Sequence, residues 1–290
     1  MKNRFEKLML DEKLIKSWNI NMRSNKLGDL SIPSWIIDEI TSDDPSIFSL
    51  VEFSFCTNFD SFAKELDNRG FDYYPKSATE NTDNQQNETI IAWKKDLFDI
   101  EEYHTYITSW TYNLPNFSYV VLRDKESDKR LAYAALRITM ALTIPKSISE
   151  VQKKAEYVKQ SKLRRKQMEK VINELDKLEV DSVCISGDFN CYRRGTNLKD
   201  WNINCLNAGN SNFISYTPDG QSIYEEKSMR GYAYEFAEDH FIVKNCIVNE
   251  YEYVRDFVSR DSAVYNNGKN YKNIAPGYPD HAILVGKISI

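Results

Sequence analysis

The chain has 290 residues, with 38 Lys and Arg against 43 Asp and Glu, a formal net charge of −5. That balance excludes a protein that coats nucleic acid by charge alone, because such binders carry a basic footprint, although local basic patches stay allowed. At about 150 residues per domain the length suggests two domains, but large α/β sandwiches reach this size as one, and a single domain over residues 1–290 is expected.

The opening Met-Lys-Asn-Arg-Phe-Glu-Lys lacks the apolar stretch and small-residue cleavage site of a secretory signal, so the cytoplasm is the expected location. The longest apolar runs, such as Leu131 to Leu136, fall far short of the roughly 20 residues of a membrane helix, and no membrane span is expected. Leu14 to Ile20 reads as a strand ending in Trp18-Asn19-Ile20-Asn21, which delivers two amides to its tip. Ile47 to Phe55 is a second strand candidate, with Glu52 in apolar company. A helix follows from Asn58 as N-cap, with Phe59, Phe62 and Leu66 on one face and Gly70 as its stop. The polar run between Pro75 and Thr89 reads as a surface loop. Phe117 to Leu122 and Leu131 to Ile138 form a hairpin around the charged Asp124 to Lys129, its second strand rich in alanine.

A helical stretch opens at Pro145 and runs to about Leu178, with Met168, Val171, Ile172, Leu175 and Leu178 on one face. Its basic run, Lys153, Lys154, Lys159, Lys162, Arg164, Arg165 and Lys166, reads first as a solvated face, with phosphate contact as the alternative. Val180 to Ser186 is a buried-type strand leading into Gly187-Asp188-Phe189-Asn190, and a strand after a long helix signals α/β architecture. Short strands near Tyr232 to Phe236 and Phe241 to Val243, a polar loop from Tyr265 to Tyr278 and a last strand from Ala282 to Ile290 complete the chain.

The five cysteines are an odd number with no CxxC pair, which excludes a disulfide framework and a thiolate zinc site and leaves buried packing thiols. Chemistry-bearing residues recur instead at strand ends: Asn19 and Asn21, Glu52, Asp188 and Asn190, Asp239, then Asp280 and His281. Singly each has an ordinary explanation, since Gly, Asp and Asn favour turns and an acid before a strand can be a surface cap. If the ends converge, four carboxylates share one pocket. At about 5 Å and an effective dielectric of about 20, each like-charged pair costs roughly 3 kcal/mol, so the cluster needs protons or a cation. All-oxygen donors suit a hard ion, Mg2+ or Mn2+.

The ordered set Trp18-Asn19-Ile20-Asn21, Leu50-Val51-Glu52, Gly187-Asp188-Phe189-Asn190, Asp239-His240-Phe241-Ile242 and Asp280-His281 resembles the endonuclease/exonuclease/phosphatase family, the DNase I-like fold, from about residue 13 to the end. The resemblance implies an α/β protein built as a four-layer α/β/β/α sandwich, two mixed sheets face to face with helices outside, that cleaves phosphate esters at one edge. It implies Glu52 as principal metal ligand with Asn19 and Asn21 beside it. Asp188 would activate water, Asn190 would position that water or a phosphate oxygen, and Asp239 would orient His281. Asp280 would complete the acidic wall or a second metal position.

One departure stands out. Many members carry a histidine in a mid-chain strand, where this chain has Ala135-Leu136-Arg137-Ile138-Thr139, so Arg137 or, in another register, Met140 takes its place. Arg137 cannot exchange protons near neutral pH but can clamp phosphate, or it can be a buried partner of a structural acid. Arg193 and Arg194, just past the Gly-Asp-Phe-Asn turn, are further candidates for substrate phosphate. His104, among aromatic residues, reads as a packed histidine, and Ser186 lacks a GxSxG elbow and is no nucleophile. The leading expectation is a metal-dependent nuclease. The competing ones are a phosphoesterase for a small phosphorylated molecule or lipid head group and a silent binding module of the same fold.

Overall fold

The computed structural model of the chain describes residues 12–22, 31–77, 88–106, 116–138, 147–190, 207–218, 237–259 and 278–290. In chain order the elements are β1 (Glu12–Asn19), α1 (Trp35–Ile40), β2 (Ile47–Val51), α2 (Phe59–Asn68), β3 (Phe71–Tyr74), β4 (Thr89–Lys94), β5 (Phe98–Tyr106), β6 (Asn116–Asp124) and β7 (Arg130–Arg137). They continue with α3 (Glu150–Leu175), β8 (Ser182–Asp188), β9 (Ile214–Tyr216), β10 (Asp239–Lys244), β11 (Ile247–Val254), a 3-10 turn (Asp256–Ser259) and β12 (Ile283–Ser289).

The strands form two mixed sheets, ordered β11-β12-β1-β2-β4-β3 and β5-β6-β7-β8-β10-β9. Each holds one parallel pair at its centre, β1 with β2 and β7 with β8, flanked by antiparallel neighbours. Parallel neighbours cannot be joined by a tight turn; α1 lies in the crossover from β1 to β2 and α3 in that from β7 to β8.

Three apolar clusters define the layers. Ile15, Ile47, Val51, Trp93, Leu131, Tyr133, Cys184, Phe241 and Leu284 fill the space between the sheets. Trp18, Phe48 and Leu50 turn the other way, onto Ile36, Ile40, Phe62 and Leu66 of α1 and α2. Ala132, Ala134, Val183 and Ile185 pack outward against Met168, Val171, Ile172 and Leu175 of α3. The result is the expected four-layer sandwich. Because the central strands are covered on both faces, β2 and β8 are buried at every residue instead of alternating.

Several boundaries differ from the sequence reading for local reasons. The second strand stops at Val51 and not Phe55, because Glu52 turns into the left-handed region at φ 49° and breaks the ladder. The long helix starts after Ser149, whose side chain forms a reciprocal capping box with Gln152, and not at Pro145. Asn58 stands at the N-cap of α2, yet its side chain serves Ile32 instead, accepting from its N–H at 2.9 Å and donating to its carbonyl at 2.8 Å. Arg164, counted with the solvated basic face, is buried. The reading missed α1, β3, β4, β5, β9 and β11, several of them short, exposed or rich in charge. The strand proposed near Tyr232 to Phe236 lies outside the described residues.

Gly187 shows how tightly the site end is built. It takes φ +134°, and a Cβ there would lie 2.1 Å from the Leu136 carbonyl oxygen. Gly70, at φ +80°, has no atom within 4 Å of such a Cβ. Gly70→Ala should therefore cost only about 1 kcal/mol of backbone strain, whereas Gly187→Ala should cost about 3 kcal/mol or more, since neighbouring backbone must move. Urea unfolding of the two variants measures the difference.

Candidate active site

The central parallel pairs of both sheets end at the same edge of the sandwich. Asn19 closes β1 and Glu52 follows β2; Arg137 closes β7 and Asp188 closes β8, with Arg137 and Asp188 direct register partners. β10 runs antiparallel to β8, so its first residue, Asp239, lies opposite Asp188. β12 runs antiparallel to β1, so Asp280 and His281, just ahead of it, come to the same edge.

Contacts cross between the sheets there. Asn19 Nδ2 donates to Asp188 Oδ2 at 3.1 Å, Arg137 Nε stands 2.6 Å from Glu52 Oε1, and His281 Nδ1 is 2.8 Å from Asp239 Oδ2. Asn190 donates twice to Asp188, through its backbone N–H at 2.8 Å and its Nδ2 at 2.9 Å. Beneath these lies a tier of hydroxyls. Ser49 Oγ donates to Ser17 Oγ at 3.0 Å and is 3.0 Å from Tyr133 OH, which is 2.6 Å from Ser186 Oγ.

Three left-handed residues stand at the same place. Asn21, Glu52 and Asn190 have φ of 52°, 49° and 46°. Asn tolerates this conformation, but Glu gains nothing from it, at a cost of about 1–2 kcal/mol. Glu52 is held by Met22 N–H donating to its carbonyl at 2.8 Å and by Phe53 N–H donating to the Glu88 carbonyl at 3.0 Å.

The crowded acids are neutralised by protein groups. Glu52 pairs with Arg137, whose Nη1 also donates to Glu88 at 3.0 Å. Burial opposes the Arg137 charge, but Glu52, Glu88 and Asp188 outweigh it and raise its pKa. Burial pushes the Asp188 carboxyl up to about 8; Glu238 and Asp239 push the same way, while His281 and Arg137 pull it down. Burial also works against the His281 imidazolium, yet Asp239, Asp280 and Asp188 hold it well above the ordinary histidine range. Among the described residues, no three Asp, Glu, His or Cys are placed to hold one metal ion.

No family model and no curated protein sequence matches the chain. Solved structures do. D. rerio TDP2 complexed with single strand DNA product superposes with a TM-score of 0.59 at 14% identity, over 96% of this chain and 99% of that one. The endonuclease/exonuclease/phosphatase from Bacteroides vulgatus gives 0.61 at 12%, over 96% and 99%. The Bacteroides thetaiotaomicron mannosyl-6-phosphatase gives 0.57 at 15%, over 96% and 100%. The chain has the DNase I-like fold of the endonuclease/exonuclease/phosphatase proteins.

Within this DNase I-like fold, Asn19, Glu52, Arg137, Asp188, Asn190, Asp239 and His281 come to one edge. Asp280 is buried beside them, its Oδ1 4.0 Å from His281 Nε2. Asn21 is turned aside, its Nδ2 reaching the Tyr278 carbonyl at 3.4 Å. Arg193, Arg194 and Met140 lie outside the described residues. His104 sits on the edge strand β5, its ring 4.3 Å from that of Tyr106. Three residues of the edge were missed: Glu88, hidden in a polar run; Glu238, whose carbonyl accepts from Phe189 N–H at 2.8 Å; and Trp18, whose Nε1 donates to the His281 carbonyl at 2.9 Å. Only Trp18 stood in a motif.

The Asp188 shift has a signed consequence. Its folded-state pKa near 8 lies above its ordinary 3.8, so between these values the folded chain binds the extra proton and stability falls as pH rises. His281, also raised, adds stability below its ordinary 6.5 that is lost as pH climbs through its higher folded value. In buffer with a chelator, the unfolding midpoint of the wild type should fall from about pH 5 to about pH 8, and Asp188→Asn, neutral throughout, should fall less. Thermal unfolding across that range is the measurement.

Proposed function

We propose that the chain is a divalent-metal-dependent phosphoesterase, a single domain working in the cytoplasm, whose leading substrate is nucleic acid cleaved by in-line attack of water. The hydrogen bond from Asn19 to Asp188 across the two sheets, beside the Asp239–His281 pair, carries this reading. It sets a would-be base, a cationic donor and oxygen ligands at one edge. The buried free thiols of Cys56, Cys184 and Cys246 accord with a reducing compartment. No helix among the described residues is long and apolar enough to cross a membrane.

The donor set fits a hard ion. Glu52 and the Oδ1 of Asn19, with Asn21 and Asp280 at the margin, would hold Mg2+ or Mn2+, ions that need only one or two carboxylates and keep several waters. When bound, such an ion offsets charge on the phosphate. Asp188 takes the proton of the attacking water; burial raises its basicity, and a bound cation would favour the ionised form that accepts the proton. Asn190 fixes Asp188 and can also meet the water or a phosphate oxygen. His281, held by Asp239, donates to a non-bridging oxygen. Arg137 and Arg193 supply further phosphate contacts.

A phosphorylated small molecule is the alternative substrate, supported by the mannosyl-6-phosphatase that shares the fold. The test pairs Mg2+ or Mn2+ with labelled DNA and RNA, sugar phosphates and other phosphorylated small molecules. Asp188→Ala, Glu52→Ala and His281→Ala should each lower cleavage by about 100-fold or more while the protein stays folded by circular dichroism. Cleavage that survives both Asp188→Ala and Glu52→Ala refutes the assignment.

A further inference from the structure

Arg137 occupies a place where a merely structural ion pair would be poorly chosen. It ends β7 opposite Asp188, at the edge where both sheets present their polar tips. Its Nε is 2.6 Å from Glu52 Oε1, and the two side chains differ in exposure: Glu52 is 2% exposed and Arg137 19%. The arginine is the more exposed member of the pair, although its Nε is itself buried against Glu52. Its other end is anchored to Glu88, 38% exposed, at 3.0 Å.

A guanidinium does not lose its proton at any ordinary pH. A histidine in the same place could neutralise itself when a second cation arrives, but Arg137 cannot; a divalent ion and a guanidinium on one carboxylate repel each other, so each weakens the other's hold. Glu88, already bonded to its Nη1, would keep the guanidinium paired once Glu52 is given up. We propose that Arg137 is the resident counter-cation of Glu52, competing with the divalent ion for that carboxylate, and that it keeps Glu88 and turns toward the substrate phosphate when the ion takes Glu52. This rests on the reading of Glu52 as a cation ligand. It makes Arg137, beyond its phosphate contact, a residue that tunes the affinity of the site for metal.

The two anchors predict opposite effects on metal affinity. Arg137→Met removes the competitor, so the full-length protein should bind Mn2+ at least tenfold more tightly by titration calorimetry and should gain more thermal stability from Mn2+ than the wild type. Glu88→Gln removes the retreat and leaves Arg137 committed to Glu52, so Mn2+ should bind several-fold more weakly. Loss of charge alone would move each single variant in these same directions, so the double variant decides: with Arg137→Met already present, Glu88→Gln should leave Mn2+ affinity nearly unchanged if it acts through the guanidinium, whereas charge alone would weaken binding equally in both backgrounds and overturn the exchange. Because Glu88 is partly exposed, Glu88→Gln keeps the test open should Arg137→Met fail to fold. If the wild type binds Mn2+ and Arg137→Met binds it equally or more weakly, or Glu88→Gln binds it unchanged or more tightly, the exchange is overturned while the phosphoesterase reading stands. If Mn2+ binds no differently to Glu52→Ala than to the wild type, Glu52 is not a ligand and both fall.

Discussion

A carboxylate bridged by an amide from the facing sheet holds the site end together. Asp188 accepts Asn19 Nδ2 from across the sandwich and two N–H groups from Asn190 on its own side. All three donors are buried or at strand ends that cannot move independently. The chain thus fixes the relative position of two sheets at the edge where their chemistry lies. The same central strands carry a gradient of polarity on their facing sides. Ile15, Ser17 and Asn19 succeed one another on β1, and Cys184, Ser186 and Asp188 on β8. Apolar contact at the base gives way to hydroxyls and then to an amide and an acid, so the tips are anchored from below.

That arrangement concentrates negative charge, and the protein answers it in three chemically distinct ways. Glu52 is met by a permanent guanidinium, Asp239 by a cationic imidazole, and Asp188 by a proton that burial favours. Only the third is readily reversible near neutral pH, which is what a general base requires. The left-handed backbone at Glu52 belongs to the same device. A strand that continued past Val51 would turn the next side chain to the opposite face; the break at Glu52 brings its carboxylate to Arg137 on the facing sheet.

The symmetry of the two sheets explains why so many elements contribute. Each sheet is an antiparallel pair, a parallel pair and a second antiparallel pair, so each places the ends of two parallel strands at one edge. Ligands of open α/β sheets gather outside such ends, where successive connections depart in different directions and leave a crevice. Here two such sets of strand ends face each other. The hydroxyl line of Thr89, Ser118 and Thr105 joins neighbouring strands of the two sheets in the same way, with Thr89 and Ser118 oxygens 2.6 Å apart.

Sequence alone determined the elements whose patterns are local: the central strands, α2 and α3, and the polar residues at strand tips, which stood out because Asn, Asp and Glu interrupt apolar runs at Asn19, Glu52 and Asp188. It determined that clustered acids would require a compensating charge. Tertiary structure alone decided which charge that is, because whether Arg137 meets Glu52 depends on the stacking of two sheets and not on any spacing along the chain. It also decided the part played by Glu88, which local composition makes look like any other loop acid, and the burial of Arg164 within a run of otherwise solvated cations. Local pattern records how a strand or helix divides its faces; the partner of a buried charge is set by what is brought opposite it, and that information belongs to the assembled layers.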